Sequence, residues 1–94
     1  MSHYIVVGAG SAGSVVTRRL IDAGHQVTLL EAGGQDVNPA IQDVGRLGEL
    51  WLSKDDWGYF TTPQAGAADR KLHWPRGKVL GGSHSLNATI WVRG

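Results

Sequence analysis

A chain that must lay its backbone against a phosphate needs glycine. Here Gly8-Ala9-Gly10-Ser11-Ala12-Gly13 follows directly on the apolar run Tyr4-Ile5-Val6-Val7. Glu31 stands eighteen residues beyond Gly13, at the end of a second run, Gln26-Val27-Thr28-Leu29-Leu30-Glu31. A glycine-rich hexamer alone says little. One that leaves a strand, opens a helix and has an acid at this distance is the fingerprint of a dinucleotide site. Gly8 permits the tight turn, Gly10 leaves room for a pyrophosphate, and Gly13 lets helix and strand approach closely. The free N–H groups and positive end of the helix then face the phosphates. A carboxylate at Glu31 accepts hydrogen bonds from ribose hydroxyls and repels a 2′-phosphate, which points to FAD or NAD and away from NADP.

The elements that must position this loop are legible in the surrounding pattern. Residues 4–7 read as a fully buried strand. Residues 11–23 read as a helix with Val15, Val16, Leu20 and Ala23 on one face, and Gly24 closes it in a left-handed conformation. Residues 27–31 read as the second parallel strand. Beyond a loop over 33–40, residues 40–52 have the spacing of a helix weakened by Gly45 and Gly48. Asp55 to Gly58 reads as a turn, Tyr59 to Thr62 as a short strand, and Leu72-His73-Trp74 as a second short strand, antiparallel to it. Gly81-Gly82-Ser83 precedes a helix expected over 84–91.

Composition removes several function classes. The net charge is +1, which gives no electrostatic footprint for nucleic acid or an anionic membrane surface. There is no cysteine, so disulfides, thiolate metal sites and cysteine nucleophiles are absent. The four histidines lack the spacing of a metal site. No stretch is apolar enough to span a bilayer. The amino-terminal apolar run is interrupted by glycines, and Arg18-Arg19 comes after it, which is neither a secretory nor a twin-arginine pattern. The expected location is cytoplasmic. Glycine is 14 of 94 residues, about twice ordinary usage, and the excess clusters in loops rather than marking disorder.

The segment Trp74-Pro75-Arg76-Gly77-Lys78-Val79-Leu80-Gly81-Gly82-Ser83 carries a second signal: a basic pair, a Gly-Gly turn, then hydroxyl residues. By chemistry alone it is either an anion-facing loop or an ordinary capped turn. Taken with Asp56-Trp57-Gly58-Tyr59, Thr62-Pro63-Gln64 and the ending Asn87-Ala88-Thr89-Ile90-Trp91-Val92-Arg93-Gly94, the chain resembles the amino-terminal part of the glucose–methanol–choline (GMC) oxidoreductases, FAD enzymes that oxidise alcohols. The likeness extends over essentially the whole chain and is nearest to the bacterial choline and alcohol dehydrogenase branch.

The resemblance implies an α/β fold: a partial Rossmann-like FAD-binding domain made of a β-α-β unit plus a second FAD-contacting loop and helix, incomplete on its own. It implies that residues 1–94 are the amino-terminal part of that domain, with its remainder and the substrate domain on polypeptide outside this chain. Gly8, Gly10, Ser11, Ala12 and Gly13 would cradle the pyrophosphate, Glu31 the adenosine ribose, and Ala32 would lie beside the adenine. Arg76, Val79, Gly81, Gly82 and Ser83 would run along the FAD, and Asn87, Ala88 and Thr89 toward the isoalloxazine ring. Trp57 is either a cofactor contact or a packed aromatic. His84 replaces a small hydroxyl residue of the family, and is either a phosphate donor or a helix-capping histidine. Leu86 stands where some relatives attach FAD through histidine, so the FAD is expected to be non-covalent. The family's catalytic histidine lies downstream, so no catalytic residue is assigned here, and the chain alone is expected to be inactive without a companion chain. The alternatives are a stand-alone ADP- or dinucleotide-binding module without catalysis, and a fragment of an NAD-dependent dehydrogenase. The segment 76–94 disfavours both.

Overall fold

A computed structural model describes residues 1–94. The strand His3–Val7 (β1) and the strand Gln26–Leu30 (β2) pair in parallel, with Tyr4 opposite Val27 and Val7 opposite Leu30. Ser11–Asp22 (α1) makes the crossover. Gly8 turns out of β1 at φ +100°, and its N–H extends the ladder by donating to the Leu30 carbonyl at 2.7 Å. Such a φ is open to glycine at little steric cost. At the far end Gly24 has φ +83°, with Gly24 and His25 donating back to the Ile21 and Leu20 carbonyls. That arrangement satisfies the terminal carbonyls of α1.

The rest of the chain is held by turns and short strands. Tyr59–Phe60 (β3) and His73–Trp74 (β4) pair antiparallel, Tyr59 opposite Trp74. The pairing continues outward as a bridge between Asp56 and Gly77. The small apolar core lies away from the parallel pair: Ala40, Leu50, Val79 and Leu86, with Ile41 and Leu47 against it. Val79 is 0 % exposed, which makes it the anchor of the loop that carries it.

Four expectations are corrected. The helix over 84–91 does not form. Gly82–Leu86 is a 3₁₀ turn entered through left-handed Gly81 and Gly82, and Asn87 is already extended. Ser85 Oγ donates to the Leu80 carbonyl, a side-chain bond of the kind that competes with helix propagation. The helix over 40–52 is instead two 3₁₀ turns, Pro39–Gln42 and Val44–Glu49. Asp43 divides them, extended in backbone and accepting from the Gly45 N–H at 3.0 Å. The face of α1 that meets the sheet runs through Gly13, Thr17 and Leu20, while Val15 and Val16 are exposed. Gly13 sets that face, since a Cβ there would overlap the Gly8 carbonyl oxygen. Finally, β1 is not fully buried, for Ile5 and Val7 are 65 % and 81 % exposed. An apolar strand with this composition is built for cover on both faces, and within this chain α1 covers one.

Candidate dinucleotide-binding cleft

Three backbone junctions bring the two glycine-rich loops together. Gly81 N–H donates to the Ala9 carbonyl at 2.8 Å, and Leu80 N–H donates to the Gly34 carbonyl at 2.9 Å. Gly10 and Gly82 face each other so closely that a Cβ on Gly82 would stand 2.9 Å from the Gly10 Cα. The result is a cleft of about 840 Å³ whose walls include Gly8, Gly10, Glu31 and Ala32 on one side and Arg76, Gly77, Gly82 and Ser83 on the other. Trp57, Tyr59 and Trp74 complete it. That volume lies within the range of small-molecule and cofactor sites.

The α1 end of the cleft is arranged for an anion. Gly10 is the N-cap of α1 and supplies no side chain to cap it, and the first turn contains no acid. The leading N–H groups and the positive end of the dipole are left for another partner. A Cβ on Gly10 would meet nothing nearer than the Gly82 Cα at 4.0 Å, and its φ is −81°. Neither packing nor backbone conformation therefore demands glycine at position 10. The bare Cα fits a pyrophosphate drawn against the loop, so the residues present fit the dinucleotide half of a cofactor such as FAD.

Glu31 is half-buried, and its carboxylate holds the first loop to the turn after β2. Oε2 accepts from the Ala9 N–H and Oε1 from the Gly33 N–H, each at 2.8 Å. Each oxygen keeps acceptor capacity for a ribose hydroxyl. Glu31→Gln is expected to destabilise the protein by about 1–2 kcal/mol, because one of these two N–H groups would face an amide NH₂ and lose a charge-assisted bond. Chemical denaturation measures this directly, and an unchanged midpoint would show that the two bonds carry no stability.

The opposite wall is organised by Asp56. Its side chain is 0 % exposed. Oδ1 accepts from the Gly58 and Arg76 N–H groups at 3.0 and 3.2 Å, and Oδ2 from the Leu52 N–H at 2.8 Å. His73 Nε2 lies 2.9 Å from Oδ2. Burial pushes this carboxyl up, but the bonds from Gly58, Leu52, Arg76 and His73 together outweigh it and hold Asp56 below the ordinary aspartate value.

The remaining site candidates are placed as follows. Val79 is wholly buried in the core and is not part of the cleft wall. Ser83 Oγ accepts from the Gly77 N–H at 3.2 Å and so braces the second loop. Ser11 lies beside Gly10, Gly81 and His84 in a smaller adjoining hollow. Ala12 and Gly13 are in the first turn of α1. Asn87, Ala88 and Thr89 are exposed and stand outside the main cleft, in a separate hollow with His84, Ile90 and Trp91. Trp57 lines the main cleft, stacked parallel on Tyr59 with ring centres 5.7 Å apart, and Lys78 Nζ lies 4.6 Å from its centre.

Tyr59, Trp74 and Gly77 were not among the candidates. For the two aromatics the signal is period-two alternation, Trp57 and Tyr59 on one arm and Trp74 and Arg76 on the other, with Tyr59 paired to Trp74; Gly77 falls outside that alternation. Among acid, histidine and cysteine side chains, no group of three could hold a metal ion.

The family model described as GMC oxidoreductase matches residues 2–94. An uncharacterized GMC-type oxidoreductase of Mycobacterium tuberculosis is 51 % identical over 94 residues, covering 99 % of this chain and 18 % of that protein. An alcohol dehydrogenase [acceptor] of Pseudomonas putida is 49 % identical over 96 residues, covering 100 % of this chain and 17 % of that protein. The crystal structure of pyridoxine 4-oxidase from Mesorbium loti superposes with a TM-score of 0.89 at 41 % identity, over 96 % of this chain and 18 % of that one. The chain thus spans under a fifth of the length of these relatives.

Proposed function

Because the chain belongs to the GMC oxidoreductase family, we propose that it is the FAD-binding portion of an enzyme that oxidises an alcohol. The carrying observation is the joined cleft, in which Gly10 is bare without a reason inside the protein. The bound flavin would supply the redox chemistry, taking hydride from the alcohol carbon at N5. What this chain contributes is binding and orientation. Gly8, Gly10, Ser11, Ala12 and Gly13 hold the pyrophosphate at the open end of α1, where donors and dipole are already aligned. Glu31 takes the adenosine ribose, with Ala32 beside the adenine. Arg76, Gly81, Gly82 and Ser83 line the path of the cofactor on a loop that Val79 anchors in the core, and Asn87, Ala88 and Thr89 serve its flavin end.

Non-covalent binding is supported by Leu86, whose side chain is 4 % exposed in the core and carries no nucleophile. None of the four histidines is proposed as catalytic base. Three are engaged elsewhere: His73 with Asp56, His3 with the Thr28 hydroxyl, and His25, whose Nδ1 accepts from the Ser2 N–H. The fourth, His84, is exposed beside Asn87 and Ala88 and is assigned no base role. The base and the alcohol pocket are assigned to further polypeptide, which would also cover the open faces of β1 and β2. On this reading the 94-residue chain alone has no alcohol-oxidising activity, and the working protein is cytoplasmic. No helix is long and apolar enough to cross a membrane.

Titration with FAD of the purified protein complete with the polypeptide that carries the rest of the domain, after removal of bound flavin, tests the proposal. The expected result is uptake of one flavin per chain, with visible absorption bands shifted from those of free FAD. Binding of ADP with no flavin uptake would favour a nucleotide module without catalysis, and binding of neither would overturn the reading.

A further inference from the structure

Asp56 and His73 have no place in the cofactor contacts proposed above, yet they sit directly behind the wall that makes them. The Asp56 carboxylate gathers four donors from three segments: Leu52 and Gly58 from its own turn, His73 from β4, and Arg76 from the loop beyond. Leu52 is held at φ +60°, a conformation that is costly for a branched side chain and that persists only where its surroundings impose it. The same clamp fixes the residues on either side of the carboxylate. Trp57 N–H donates to the Arg76 carbonyl at 2.9 Å, and Asp56 bridges to Gly77. Gly77 in turn lies so close to Gly82 that a Cβ there would overlap the Gly82 carbonyl. Backbone contact therefore runs without a gap from Asp56 through Arg76 and Gly77 to Gly82 and Gly10.

His73 closes the clamp from behind. Its ring centre is 5.3 Å from that of Phe60 and 6.4 Å from that of Trp51, so the imidazole cannot turn away from Asp56 without displacing aromatic neighbours. We propose that Asp56, locked by His73, is a positioning residue that sets Trp57 and Arg76 on the cleft wall opposite Glu31. The proposal rests on the reading of the cleft as an FAD site. Asp56 touches no cofactor itself. It acts by fixing the backbone from which the Arg76 side chain reaches the cleft, where the guanidinium now lies 5.3 Å from the centre of the Trp74 ring.

The test uses the flavin-loaded protein and FAD affinity measured after removal and re-addition of the cofactor. His73→Leu keeps the packing between Trp51 and Phe60 but has no donor for Asp56. It is expected to raise the FAD Kd about tenfold, the scale of one lost bond to a charged group. His73→Gln restores a donor and is expected to stay within about twofold of the parent. A leucine variant equal to the parent, or leucine and glutamine variants equally impaired, would overturn the proposal.

A mutant cycle tests the route through Arg76. Asp56→Asn is expected to weaken FAD binding in the parent and to weaken it much less in an Arg76→Ala background, since the side chain it positions is gone. Full additivity would mean Asp56 supports only general stability. If Asp56→Asn does not fold, the two His73 variants alone decide. A parent that takes up no FAD condemns the cofactor reading rather than the clamp.

Discussion

Gly10→Ala is expected to abolish stoichiometric FAD uptake while leaving the apo protein folded and its melting temperature nearly unchanged. The three glycines of the first loop differ in what constrains them. Gly8 needs its left-handed φ of +100°, and Gly13 has no space for a Cβ beside the Gly8 carbonyl. Gly10 has neither constraint, with the Gly82 Cα at 4.0 Å as the nearest neighbour of an added methyl. The cost to the fold is limited to replacing glycine by alanine at a helix N-cap, at most about 1 kcal/mol. Part of that is recovered because alanine has fewer unfolded conformations. The cost to the ligand is different in kind. A methyl group at the one point where a pyrophosphate lies against the backbone forces the phosphates away from the N–H groups of α1, and a tight turn cannot relax around it. Loss of more than two orders of magnitude in affinity is the expected scale, about 3 kcal/mol. Calorimetric melting and flavin titration on the same sample separate the two effects. Unchanged FAD affinity would remove Gly10 from the cofactor site, and loss of the fold would show that its bareness serves packing after all.

Much of this site is legible in the sequence because its local rules are strict. The β-α-β unit is visible from Tyr4 to Glu31, since strand, glycine turn, helix and acid follow each other at fixed spacing. The β3–β4 pairing is also visible, as short aromatic runs bounded by turn residues. What the pattern does not contain is the outcome of competition between local bonds. Gly81-Gly82-Ser83 reads as the lead into a helix over 84–91, yet Ser85 Oγ donates to the Leu80 carbonyl and the chain leaves the turn extended. Val15 and Val16 read as the buried face of α1, yet Gly13 draws the helix in on its own side, and the valines face outward. The clamp at Asp56 is invisible for another reason. Its four donors come from residues up to 20 positions away, and no period in the sequence links them.

The glycine pair after β2 shows the same limit at single-residue scale, and it carries the second large effect. Gly33 and Gly34 look interchangeable in sequence, two loop glycines before a proline. In the structure a Cβ on Gly33 would overlap the Lys78 carbonyl and the Val79 nitrogen, whereas a Cβ on Gly34 would meet nothing. Gly33→Ala is therefore expected to cost about 3 kcal/mol, the upper end for overpacking, because backbone atoms cannot rotate aside as side chains do. The displaced segment is the one that anchors Val79 in the core and carries Arg76 and Gly82 to the cleft. The Gly33 N–H is also one of the two donors to Glu31, so the same shift loosens the other wall. Stability and FAD affinity should fall together, in contrast to Gly10→Ala, where only affinity falls. Gly34→Ala is the control, with its φ outside the left-handed region and both properties expected to match the parent. Equal behaviour of the two alanine variants would mean that the second loop does not rest on Gly33, and that the junctions at Ala9–Gly81, Gly34–Leu80 and Gly10–Gly82 hold the two walls without it.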